Sequence, residues 1–76
     1  MNVKELKNYP AAEADYTKAI KFNPKCAEAY NNRGLIRQLL KNYLAAKADR
    51  TQAIDIDPNY AEAYLSRGVL YILKNY

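Results

Sequence analysis

Aligned against itself with a shift of thirty-four positions, the sequence pairs nineteen identical residues out of forty-two. That is an internal repeat, and it limits the fold more than any other feature of the chain. The matches fall in blocks. Leu6–Tyr9 and Leu40–Tyr43 both read LKNY, and Ala27–Tyr30 and Ala61–Tyr64 both read AEAY. Ala14-Asp15 returns as Ala48-Asp49, Ala19-Ile20 as Ala53-Ile54, Arg33-Gly34 as Arg67-Gly68, and Pro24 as Pro58. A third LKNY, Leu73–Tyr76, comes one residue early. A fixed period of this size means one supersecondary unit that hides its apolar side by stacking on its neighbours.

Punctuation splits each period into two helices. Pro24 and Pro58 end the helices before them, since proline disfavours helical geometry in the preceding residue and lacks a backbone donor. Asn8 and Asn42 stand where a side-chain oxygen can cap the next helix, with Pro10 tolerated in the first turn. Helices are therefore predicted near residues 10–22, 26–40, 43–56 and 60–74. Twelve alanines favour helix and let helices approach closely. Tyr30, Gly34 and Arg37, and again Tyr64, Gly68 and Tyr71, share one face by their spacing. A glycine in mid-helix costs about 1 kcal/mol relative to alanine, so Gly34 and Gly68 are each expected beneath another helix. Ala46 and Ala53 in the third helix, and Ala12 and Ala19 in the first, read as the holes that receive tyrosines.

On these residues the chain resembles the tetratricopeptide repeat family. Tyr30, Gly34, Ala46, Ala53 and Pro58 meet the family's run of aromatic, glycine, spaced alanines and closing proline. Ala12, Tyr16, Ala19 and Pro24 match the second half of a preceding unit, and Tyr64, Gly68 and Tyr71 the first half of a following one. The resemblance implies an all-α solenoid of four main helices, a fragment of a right-handed superhelix of antiparallel helix pairs, forming a single domain over 1–76. Residues 1–25 are the second half of a repeat, 26–59 a complete repeat and 60–76 the first half of another. The pattern is departed from in three ways. Arg33 and Arg67 precede the glycines where leucine is usual, Arg37 replaces an apolar residue, and Arg50 stands where Tyr16 stood one period earlier. Arg33 is expected to pair with Asp49 across a half-buried gap, because a desolvated charge needs a partner. Arg37 and Arg50 read as stems that reach solvent.

The family binds extended peptides or partner helices in a concave groove lined by the first helix of each pair. The resemblance places Glu28, Asn31, Asn32, Leu35, Gln38 and Leu39 of the second helix there, with Glu62, Leu65, Ser66, Val69 and Ile72 of the fourth. Asn32 matches an asparagine that bonds peptide backbone in family members. The family's carboxylate clamp is not expected, because Glu62 and Ser66 occupy places that need basic groups. The expected function is thus a non-catalytic scaffold for a protein or peptide ligand. The alternative is self-assembly through two complementary faces, Ala12, Asp15, Tyr16 and Ala19 on the first helix and Tyr64, Arg67, Gly68 and Tyr71 on the fourth, which would make a homo-oligomer.

Composition removes other classes. With no histidine, one cysteine (Cys26) and one serine (Ser66), no nucleophile, base and orienting group can be assembled, so an enzyme, a metal site or a cofactor is not expected. Cys26 reads as a spacer at the start of a helix, and a lone thiol fits a reducing, cytoplasmic setting. No apolar run approaches a membrane span. The net charge of +4 is interleaved rather than clustered. An RNA-binding helical repeat is a third alternative on charge and on eight tyrosines, though tyrosines at core spacing are better explained by packing than by base stacking.

Overall fold

A computed structural model of the chain describes residues 8–74, with the side chain of Lys74 excepted. Four helices follow one another: α1 Tyr9–Phe22, α2 Ala27–Leu39, α3 Tyr43–Ile56 and α4 Ala61–Lys74. The boundaries fall within a residue of those the punctuation predicts. Each helix packs on the next in sequence, and the short links make neighbours antiparallel. The result is an all-α helical-repeat slab of 38 × 32 × 18 Å.

The links repeat as the sequence does. After α1 the Asn23 amide donates to the Ala19 carbonyl at 2.8 Å, and after α3 the Asp57 amide donates to Ala53 at 2.9 Å. The side-chain oxygens of Asn23 and Asp57 then accept from the amides of Lys25 and Asn59, turning the chain at Pro24 and Pro58. Asn8 caps α1 through the Ala11 amide at 3.2 Å, with proline in the first turn. Asn42 behaves otherwise: its side chain makes no cap bond to α3. Its amide instead donates to the Arg37 carbonyl at 2.8 Å, and the Lys41 amide donates to Gln38 at 2.9 Å. These two bonds close α2 with Lys41 in the left-handed conformation at φ 65°. The backbone of Asn42 therefore serves the end of one helix rather than its side chain the start of the next. The early third LKNY block reaches beyond the described residues.

The core is thin and built on small residues. Ala46, Ala53, Ala63 and Leu70 are fully buried. Ala53, Ile54 and Ala63 form the cluster on which Ala27, Tyr30 and Tyr60 pack, so Ala53 is a hole for tyrosines as its spacing predicts. Ala46 instead lies under Gly34: a Cβ on that glycine would stand 3.2 Å from the Ala46 carbonyl oxygen and 2.8 Å from Arg50 Nε. Gly34 is thus required by close approach. Gly68 departs from expectation, for nothing lies within 4 Å of the place its Cβ would occupy. No described residue of α1 is buried.

Candidate functional site

Two features could carry function: the exposed side of α2 and α4, and the arginine network that fixes α2 between α1 and α3. The network is the better defined. Arg33, in the middle of α2, donates through Nε and Nη2 to the two carboxylate oxygens of Asp49 at 2.9 and 2.8 Å. Nη1 reaches the Thr17 hydroxyl of α1 at 3.2 Å, and the guanidinium lies 5.5 Å from the Tyr30 ring centre. The fork geometry suits a carboxylate, and Asp49, only 3 % exposed, needs it. The hydrogen bonds that Arg33 donates to Asp49 hold its pKa above the ordinary value against the opposing effect of burial. The expected Arg33–Asp49 pair is present.

The readings of Arg37 and Arg50 require correction. Arg37 is no free stem: its Nε donates to Glu13 of α1 at 2.8 Å and its Nη1 to Asp49 at 3.1 Å. One turn of α2 thereby ties both neighbouring helices. Arg50 is 2 % exposed. Its Nε donates to the Asn31 carbonyl at 3.1 Å, while Nη1 is buried without a hydrogen bond. Burial pulls its pKa below the usual arginine value, with Glu62 and Asp49 opposing. A long side chain can occupy this place because α3 offers Ala46 and Ala53 on either side and Gly34 leaves room above it. The sequence suggested a surface stem because a long charged side chain more often reaches solvent.

The residues expected in the groove divide. Glu28 and Glu62 are exposed, and Asn32, Gln38 and Ser66 are half-buried. Leu35, Leu39 and Val69 keep close to half of their surface in solvent, and so does Leu73, which the sequence reading omitted. Its signal was present: Leu73 lies one period after Leu39. Asn31 is a second correction, at 5 % exposure. It faces Arg50 and Tyr60 rather than solvent, and its Oδ1 is buried without a well-formed hydrogen bond. Tyr60, just ahead of α4, packs on the same cluster as Ala27 and Tyr30 of α2. Burial raises its phenol pKa above the usual value. Leu65 and Ile72, the most exposed apolar residues of α4 at 74 % and 80 %, lie one period after Asn31 and Gln38. They therefore point the way that α2 turns its buried edge.

The expected self-association residues form two open faces. On α1, Asp15 and Ala19 are exposed and Ala12 and Tyr16 half-buried. On α4, Tyr64 and Tyr71 are partly exposed, at 45 % and 37 %, and Arg67 and Gly68 are half-buried. Arg67 donates to the Thr51 hydroxyl at 3.2 Å and lies 5.7 and 5.9 Å from the ring centres of Tyr64 and Tyr71.

The model described as TPR repeat matches residues 4–41, and the model described as tetratricopeptide repeat matches residues 27–60. The chain belongs to the tetratricopeptide repeat family. No curated protein and no solved structure matches it. The second match spans α2, α3 and their links, the part of this TPR protein held by the arginine network. Repeats of the family serve as protein-interaction scaffolds and are typically non-catalytic. Among the described residues, no helix is long and apolar enough to cross a membrane.

Proposed function

We propose that this TPR protein is a non-catalytic interaction scaffold that takes a peptide or partner helix along the face shared by α2 and α4. The observation that carries the proposal is the matched apolar pair on each helix, Leu35 with Leu39 and Val69 with Leu73, left open beside polar Glu28, Asn32, Glu62 and Ser66. Apolar side chains one helical turn apart offer anchors for a ligand, while the Asn32 amide supplies both a donor and an acceptor for ligand backbone.

Peptides selected by display on the wild-type chain provide the test. Leu35→Asp and Val69→Asp are each expected to weaken a selected peptide by tenfold or more, about the loss of one anchor, whereas Lys18→Asp on α1 leaves it unchanged. Equal binding to all three variants sinks the groove. The RNA reading gains nothing from the rings: Tyr30, Tyr64 and Tyr71 already have Arg33, Arg67 or Lys47 near their faces.

A further inference from the structure

We infer that the open face of α4 receives α1 of a second copy of this chain, in the register that α2 uses to receive α3. The intrachain contacts define the register, because each residue of the α2–α3 contact has a counterpart one period away. Arg33, Gly34 and Asn31 of α2 become Arg67, Gly68 and Leu65 of α4. Asp49, Ala46 and Arg50 of α3 become Asp15, Ala12 and Tyr16 of α1.

The counterpart pairs fit chemically. Arg67 reproduces half of what Arg33 does: it bonds Thr51 as Arg33 bonds Thr17, both at 3.2 Å, but no carboxylate meets its other nitrogens among the described residues. Asp15 is the same residue as Asp49 in phase, and it is exposed. Gly68 has open space where Gly34 has Ala46 and Arg50 against it, so a helix bearing Ala12 and Tyr16 has somewhere to approach. In the third pair both members change together. Inside the chain Arg50 donates to the main-chain carbonyl of Asn31, a bond that the residue type at 31 does not decide. Between copies the pair becomes Tyr16 against Leu65, an aromatic ring on the exposed leucine.

The shape agrees. A hollow of about 370 Å³ runs along α3, lined by Leu44, Lys47, Ala48, Thr51 and Gln52. Thr51 and Lys47 also touch α4, at Arg67 and at the Tyr71 ring. Their counterparts on α1, Thr17 and Glu13, touch α2 at Arg33 and Arg37, where Asp49 of α3 also arrives. The hollow therefore lies where the incoming helix would pass. Two unlike faces meet in such a contact, so copies add head to tail into filaments or rings rather than closing as a simple dimer.

The test is the mass of the 76-residue chain by sedimentation and light scattering, from about 1 µM to about 1 mM. Average mass is expected to climb with concentration without stopping at two. Arg67→Asp and Asp15→Arg should each weaken association by roughly tenfold or more, as expected for one member of a desolvated charge pair. The double variant should recover it. An equimolar mixture of the two single variants should also associate without stopping at two, because every contact between unlike copies then pairs opposite charges and the copies alternate. Gly68→Ala guards against misfolding, since it should preserve helical circular dichroism and still weaken association. A chain that stays monomeric throughout overturns the inference, and so does association that Arg67→Asp or Gly68→Ala leaves intact or that the double variant fails to restore. Peptide binding at Leu35 and Val69 is read separately, so either result stands without the other.

Discussion

Arg33 and Arg67 hold the same place in successive units, and their surroundings differ. Arg33 sits between helices, grips both oxygens of Asp49 and still reaches Thr17. Among the described residues Arg67 bonds Thr51 alone and lies against tyrosine rings. The comparison separates what a repeat residue does alone from what its neighbour adds. Contact with the preceding helix is the same at both sites. The carboxylate, the close glycine and the buried edge require a following helix, and only α2 has one among the described residues.

The largest expected effect comes from removing the carboxylate that makes the difference. Asp49→Ala leaves two arginines with buried faces and should cost about 3 kcal/mol, as for other broken buried pairs. Asp15→Ala, at the matching site, should change the stability of dilute chain by less than about 0.5 kcal/mol. Urea titrations compare them directly, and equal losses would erase the distinction between the two arginine sites. The glycines should part in sign. Gly34→Ala pushes a methyl against the Ala46 carbonyl and Arg50 and should cost about 1 kcal/mol or more despite better helix propensity. Gly68→Ala meets nothing and should gain about 1 kcal/mol in dilute solution. Thermal melts below the association range read both.

Arg50 sharpens the comparison differently, as a buried charge with one bond and one orphan nitrogen. Arg50→Met should stabilise the chain by about 1 kcal/mol, the common outcome when a poorly satisfied buried ion becomes apolar. A loss in urea denaturation would mean that Asn31 and its surroundings depend on the guanidinium. The smallest effect concerns Tyr60. Burial raises its folded pKa, so above about pH 10 the unfolded chain releases this proton first and stability falls as pH rises. Tyr60→Phe should lessen that decline relative to wild type when denaturation midpoints at neutral and alkaline pH are compared.

The fold was legible because its signals are local. The period, the prolines and the AEAY blocks placed all four helices to within a residue, and Asp49 in phase with Asp15 announced a partner for Arg33. Asn31, Arg37 and Arg50 were misread for one reason: whether a residue faces solvent depends on the helices packed beside its own. Arg50 looked like a surface stem beside a tyrosine counterpart, but Gly34 and Ala46 open a slot long enough to swallow it. Asn42 was misread because two backbone bonds, with Lys41 in a left-handed turn, took the place of a side-chain cap. Gly68 followed its repeat in sequence but lacked the neighbour that gives the repeat its meaning.

The span of the Arg37–Glu13 bond, twenty-four residues, sets the scale of the chain's side-chain network. The hydrogen bonds of Arg33, Arg37, Arg50 and Arg67 all join helices adjacent in sequence, so these contacts form between segments that lie close along the chain. Loop closure on this scale is inexpensive, and folding belongs among the fast, low-contact-order cases. Pulled from either end, such a slab would peel one helix at a time, α1 or α4 first, leaving the arginine-tied hairpin as the last piece to let go.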